Sequence, residues 1–223
     1  MNLTILMPCL NEERTVETCV TIANNYLRNS GYSGEVLVCD NGSVDASVKI
    51  AKDAGARVIC CDRMGYGNAL RYGIEHSMGT YVIMGDCDRS YDFSGIDEMM
   101  QALLLGSDMV IGNRFVHPME PGAMSASHKY LGVPFLSWVG RMRYHTDIKD
   151  FHCGLRGVNK EKFLSLSCQA EGMEFATEMI AKAVKAGQSV TQVPVTLYKD
   201  QRNGKSHLHS IRDGLRHLNY MIK

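Results

Sequence analysis

Neither sign of charge dominates this sequence: Lys and Arg together number 24, and so do Asp and Glu. Without a net field the chain has no general attraction for nucleic acid or membrane. No apolar run reaches the length of a bilayer span. Met1 opens directly into the strand-like Leu3-Thr4-Ile5-Leu6-Met7, so no signal peptide is expected. Internal repeats and low-complexity segments are missing as well. The eight cysteines form no C-x-x-C pair and show no zinc-ligand spacing. Cys9, Cys39 and Cys60 sit inside or at the ends of apolar runs, like small buried residues. Together these absences point to a reducing, cytosolic setting.

What is present is a regular alternation. At 223 residues the chain can bury one good core, and one domain is the simplest count. Strand-like runs occupy Leu3–Met7, Glu35–Cys39, Arg57–Cys60, Thr80–Met84 and Asp108–Ile111. Between them apolar residues recur at helical spacing: Val16, Cys19, Val20, Ala23 and Leu27, then Leu70 and Ile74, then Ile96, Met99, Met100 and Leu103. Ser43 or Asp45 can cap a further helix that stops before Gly55. Such alternation predicts an α/β fold with a mainly parallel sheet covered on both faces. Beyond it, helices are expected over His128–Arg143 and Phe175–Ala186 and a strand over Ser189–Leu197. The stretch 115–127, with Pro118, Pro121 and Gly122, reads as a mobile loop.

Chemistry gathers at the strand ends. Thr80–Met84 is followed by Gly85 and then Asp86-Cys87-Asp88, two carboxylates two residues apart at a C-terminal strand tip. Ligands of open α/β sheets bind at that edge. One or two carboxylates suit a hard cation such as Mg²⁺ that fills its shell with water and phosphate oxygens. Pro8 should turn the chain out of the first strand, after which Asn11 can cap a helix with Glu12 and Glu13 in its first turn. Asp40 leaves the second strand before the turn Asn41-Gly42, and its carboxylate can either serve that turn or hydrogen-bond a base or ribose. Gly65-Tyr66-Gly67-Asn68-Ala69 is a glycine-rich turn opening a helix, whose free N–H groups can face an anion.

In one order, Pro8-Cys9-Leu10-Asn11-Glu12, Asp40-Asn41-Gly42-Ser43-x-Asp45, Gly65-Tyr66-Gly67-Asn68-Ala69 and Asp86-Cys87-Asp88 resemble the family 2 glycosyltransferases. The resemblance covers residues 1–114 and implies the Rossmann-like GT-A fold of a nucleotide-sugar enzyme. It puts Pro8, Asn11, Glu12, Asp40 and Gly42 around the nucleoside, with Gly65 and Asn68 in the glycine-rich turn. It directs Asp86 and Asp88 to the ribose and to a Mg²⁺ or Mn²⁺ on the diphosphate. Further on, Asp150-Phe151-His152-Cys153-Gly154-Leu155-Arg156-Gly157 is similar to the D-x-x-x-G-[FL]-R segment of polyprenyl-phosphate sugar transferases of the dolichyl-phosphate mannose synthase group. Gly172–Met179 matches the helix that follows there. Lys199-Asp200-Gln201-Arg202-Asn203-Gly204-Lys205-Ser206 is similar to that group's basic loop over the diphosphate.

The resemblance therefore implies an inverting hexosyl transfer from a UDP- or GDP-sugar to an acceptor, a polyprenyl phosphate for preference. Arg156, Arg202 and Lys205 are candidate phosphate clamps, although Arg156 can equally be a structural ion-pair partner. Asp150 and Glu174 are the candidate catalytic bases, needed if the acceptor is an alcohol. Glu174 and Glu178, four apart on one helix face, can instead pair with Lys182 or Arg156. Two departures stand out. Where many members carry a Gly-Lys-Gly type of turn this chain has Gly65-Tyr66-Gly67, which leaves Arg63 to supply the positive charge. Many members also continue into transmembrane helices.

The expected organisation is one domain over 1–205, with a nucleotide-sugar half at 1–114 and an acceptor half at 115–205. An amphipathic helix over 206–223 follows, with Ile211, Leu215, Leu218, Tyr220, Met221 and Ile222 among Arg212, Arg216 and His217. It reads as an interfacial segment at the cytoplasmic face of a membrane or as an ordinary terminal helix packed on the core. Two rivals remain at this stage. A sugar-phosphate nucleotidyltransferase would open on G-x-G-T-R after the first strand, where this chain has Pro8–Glu12. A catalytically silent nucleotide-sugar adaptor is separated from an enzyme only by turnover.

Overall fold

The computed structural model describes residues 1–202 and 210–222. Seven strands form one sheet: β1 (Leu3–Cys9), β2 (Gly34–Asp40), β3 (Arg57–Cys60), β4 (Tyr81–Met84), β5 (Met109–Asn113), β6 (Arg156–Asn159) and β7 (Val190–Pro194). Their order is β3-β2-β1-β4-β6-β5-β7. All pairings are parallel except those of β6, which runs antiparallel between β4 and β5. The helices are α1 (Val16–Ser30), α2 (Ser47–Asp53), α3 (Tyr66–His76), α4 (Asp97–Leu104), α5 (Val133–Tyr144), α6 (Lys160–Ser165), α7 (Phe175–Lys185) and α8 (Ser210–Ile222). A π-helical turn, His128–Gly132, leads into α5.

The expected α/β sheet is observed, with β1 and β2 buried along nearly their whole length because both sheet faces are covered. β6 was not anticipated. Arg156-Gly157-Val158-Asn159 lacks an apolar run, and it becomes a strand only because β4 and β5 offer it ladders on both sides. The helix Lys160–Ser165 behind it, whose cap is Asn159 accepting from Lys162 N, was missed for its brevity.

Pro8 does not end β1. The strand runs to Cys9 and stays paired with β2 through Cys39 and Asp40. Leu6 O accepts from Gly85 N on the β4 side and Cys9 O accepts from Asn41 N on the β2 side. Pro8, two residues from Leu6, shares its β4 side, where the ladder has already stopped at Met84. A missing N–H there leaves no bond unmade. Nor does Asn11 cap α1, which starts at Val16 after a turn in which Glu12 O accepts from Thr15 N and Val16 N.

The loop 115–127 is tied down rather than free: Glu120 N donates to Leu197 O, and the Glu120 carboxylate accepts from Lys199 N. α8 packs against α5 and α7, with Asp213, His217 and Met221 buried, while Leu215 and Ile222 stay exposed. Among the described residues no helix is long and apolar enough to cross a membrane. Cys60, expected inside, is exposed at the end of edge strand β3.

Candidate functional site

β1 feeds β2 on one side of the sheet while β4 adds to its other side, so the strand order reverses beside β1. The crevice outside the strand tips at such a reversal is where open α/β sheets take ligands. A cleft of about 760 Å³ lies there, lined by Pro8, Glu12, Asn41, Gly65, Tyr66, Asp86, Asp88 and Arg202 among others. It is also lined by Arg114, Ser125, His128, His152, Met173 and, from α8, by Arg212, Asp213, Arg216 and His217. Residues from both halves of the chain thus share one cavity.

Its charged centre is a knot of three carboxylates about one guanidinium. Arg202 is ion-paired with Asp88, and the same nitrogen lies 3.5 Å from Glu12. Asp88 also accepts from Ser90 N at 2.9 Å, and its carbonyl accepts from Gln201 N, so the chain around 200 is strapped onto the strand tip. Burial, then the neighbouring Asp88 charge, pushes the Asp86 carboxyl above the ordinary range, against the pull of Arg202 and a hydrogen bond from Tyr66. Glu12 is raised to about 7, chiefly by burial, although Arg202 opposes the shift. Arg202 Nε is buried without a hydrogen-bond partner among the described residues. The knot therefore holds more negative than positive charge in a poorly solvated place, which favours a further cation.

A divalent ion fits this donor set in one particular way. Among the described residues no group of three or more His, Cys, Asp or Glu could hold a metal by itself. Two adjacent carboxylates are what Mg²⁺ or Mn²⁺ uses when substrate phosphates complete its shell.

Several expected ligands are already committed to the scaffold. Asp40 accepts from Gly42 N and Ser43 N, closing its own turn. Asn11, with φ 56°, accepts from Val44 N, and the two tips are further joined by its N–H to Ser43 Oγ. Gly42 has a positive φ of 95°, which its turn requires. Asn68 donates to Met64 O and accepts from Arg71, lining with Arg63 a separate cavity of about 540 Å³. The glycine-rich turn is not an open anion cradle, because Gly67 N and Asn68 N both donate to Glu171 O. A Cβ at Gly65 would lie 2.3 Å from Glu171 O, and one at Gly67 2.4 Å from Ala170 O. These glycines admit another stretch of backbone rather than a phosphate.

The D-x-x-x-G-L-R segment also proves to be support. Asp150 is fully buried, with both oxygens engaged by the Arg114 guanidinium at 2.7 and 2.8 Å. It holds Arg114, which lines the cleft, and is not itself placed to take a proton there. Gly154 leaves room for the Asp86 carboxylate, since a Cβ would stand 2.8 Å from Oδ2. Arg156, expected as a phosphate clamp or an ion-pair partner, is buried and donates to the carbonyls of Cys153, Phe151 and Ala176, which ties its guanidinium to the scaffold. Glu174 accepts from Gly172 N and lies 4.0 Å from Arg216. Glu178 accepts from Gln169 N and Ala170 N and pairs with Lys182 at 3.0 Å, fixing the loop that meets Gly67. Lys205 lies outside the described residues.

Comparison with known proteins places this geometry. A model described as "Glycosyl transferase family 2" matches residues 4–165, most of the chain. The chain belongs to glycosyl transferase family 2. The chain is similar to the low-salt glycan biosynthesis hexosyltransferase Agl6 of Haloferax volcanii, at 34% identity over 99% of this chain and 53% of Agl6. Glycosyltransferase AglJ of the same organism is 35% identical over 94% of the chain and 67% of AglJ. The chain thus spans about half of the one relative and two thirds of the other. Glucosyl-3-phosphoglycerate synthase from Mycobacterium tuberculosis, solved with Mn²⁺, UDP-glucose and phosphoglyceric acid, shares the fold at a TM-score of 0.76 and 20% identity, over 99% of this chain and 78% of that one. The same synthase has been solved with Mg²⁺ and UDP.

Some lining residues of this family 2 chain escaped the sequence reading. Arg114 stands just past the tip of β5, so the strand-end rule that selected Asp86 would have found it. Asn41, a turn residue by its sequence, donates to Cys61 O and Arg63 O and accepts from Gly65 N, joining two tips. His152 and His217 meet edge to face with ring centroids 4.4 Å apart, a contact between distant segments that no local pattern announces.

Proposed function

We propose that this chain is a metal-dependent, inverting hexosyltransferase that uses a UDP- or GDP-sugar and a polyprenyl phosphate acceptor. The observation that carries the reading is the pair Asp86 and Asp88, held at the β4 tip in a cleft that also contains Arg202 and Glu12. Family membership and the UDP-glucose and Mn²⁺ of the fold neighbour support the donor half. Asp86 and Asp88 would hold Mg²⁺ or Mn²⁺, which when bound offsets the charge developing on the departing nucleoside diphosphate. Arg202, beside Asp88 and Glu12 at the same strand tip, would add a guanidinium to the diphosphate. Pro8, Glu12 and Asn41 line the place of the nucleoside, and Lys205 extends the basic segment. Attack from the face opposite the leaving group inverts the anomeric carbon.

The acceptor half rests on what surrounds the rest of the cleft. Of the two expected bases, Asp150 is engaged at both oxygens by Arg114, while Glu174 accepts from Gly172 N at one oxygen and keeps the other buried without a hydrogen bond among the described residues, 4.0 Å from Arg216. An acceptor that arrives ionised needs no base, and Arg212 and Arg216, the more exposed cations of the cavity lining, are partners for a phosphate. Transfer to such an acceptor belongs at the cytoplasmic face of a membrane.

The test is thermal stability against UDP, GDP and their sugars, with and without Mn²⁺, followed by turnover on a short-chain polyprenyl phosphate. One nucleotide should raise the melting temperature in a metal-dependent way. Asp88→Asn should remove that dependence and lower turnover about a thousandfold or more. Near-normal turnover of the variant overturns the metal role, and binding without any turnover is the behaviour of an adaptor.

A further inference from the structure

Leu131, Phe135, Trp138 and Met142 follow one another at i, i+4, i+7 and i+11, a single helical stripe of large apolar side chains. In a globular domain such a stripe ordinarily faces the core. Here the core takes Ser137, Gly140 and Tyr144 from the other side of α5, and the stripe is 50 to 72% exposed. Tyr130, just ahead of it, is 74% exposed. The Phe135 and Trp138 rings stack with centroids 6.3 Å apart, so the surface is assembled in advance. Contiguous exposed apolar surface of this kind marks an interaction site.

Charge identifies the partner. Between Glu120 and Asp147 there is no acidic residue, in a chain whose acids and bases are equal in number overall. Lys129, Arg141 and Arg143 lie in that interval, Lys129 with its ammonium 5.4 Å from the Tyr130 ring centroid. Aromatic and aliphatic side chains beside cations, on a helix too short to cross a membrane, are the composition of a segment lying in an anionic interface. A second copy would bring the same cations against one another with no acid in the segment to answer them. The segment also reaches the cleft, whose lining includes Met124, Ser125, His128 and Val133.

We propose that the exposed face of 130–142 docks on an anionic lipid bilayer and presents the cleft to acceptors held in that bilayer. The use of the surface rests on the acceptor reading above; its binding to lipid is measured independently. Trp138 is the only tryptophan of the chain and lies in the stripe, so it reports directly. Its emission should shift to the blue, and be quenched by bromine-labelled acyl chains, on adding phosphatidylcholine vesicles that contain phosphatidylglycerol. Phosphatidylcholine alone should act weakly, and added salt should reverse much of the binding.

Phe135→Glu with Met142→Glu should weaken partitioning by about tenfold or more. Lys129→Gln and Arg141→Gln should each cost about fivefold on anionic vesicles only. Stabilisation by the donor nucleotide should be unchanged in all of these, which shows that fold and cleft survive. Unaltered Trp138 emission with anionic vesicles overturns the proposal. So does a dimer in sedimentation velocity that the same substitutions dissolve, because the face would then be a protein interface. Nucleotide binding without vesicle binding removes the docking surface alone; vesicle binding without nucleotide binding leaves it standing and removes the transferase reading.

Discussion

Asp150 shows how a residue can belong to a site without performing its chemistry. Its carboxylate is wholly buried and takes two hydrogen bonds from the Arg114 side chain and one from Arg114 N. Breaking a buried pair from one side leaves an uncompensated charge, which costs about 3–5 kcal/mol. Asp150→Asn should therefore lower unfolding free energy by about that amount in urea titrations. Its pH–rate profile should keep the parent shape; a lost acidic limb would instead mark Asp150 as a base. From the residue pattern alone a structural and a catalytic carboxylate look the same, because the difference is the Arg114 side chain thirty-six positions away.

At the scale of elements, the contact between the α3 N-terminus and the chain ahead of α7 joins the two halves. Glu171 O accepts from Gly67 N and Asn68 N, while Glu178 holds the same loop through Gln169 N and Ala170 N. Gly67 has no room for a side chain: the intruding Cβ would also stand 2.8 Å from Phe175 Cβ. Gly67→Ala should cost about 1–3 kcal/mol through overpacking, measured by chemical denaturation. Loss of nucleotide binding without loss of stability would show instead that the turn serves the ligand. The turn and its glycines were legible in the sequence, but the partner that requires them was not.

For the whole molecule, the cleft's charge imbalance makes stability depend on pH. Glu12 has an ordinary pKa of 4.5 when unfolded and about 7 in the folded chain, raised mainly by burial. Its favourable contribution is thus complete below pH 4.5 and is lost as pH rises to about 7, since the unfolded chain releases its proton first. Glu12→Gln cannot titrate. The parent should lose melting temperature relative to this variant across that window, by a few degrees, and the gap should be constant above it. A gap that does not move with pH would mean that Arg202 already holds Glu12 ionised. Donor and metal would draw on the same imbalance, because a bound cation lowers the cost of each carboxylate.

The order of strands and helices in the first half, and the delivery of Asp86 and Asp88 to a strand tip, were determined by the sequence itself. Both follow from short-range rules: apolar period, glycine breaks and the position of a residue relative to its own strand. Tertiary structure alone decided which polar residues remain free. Asp40, Asn68 and Arg156 are consumed by backbone groups, and Asp150 by a distant guanidinium. It also made a strand of Arg156–Asn159 and turned the apolar side chains of Leu131, Phe135, Trp138 and Met142 outward. These outcomes depend on which surfaces meet across long sequence separations, and local pattern carries no record of a partner that only folding supplies.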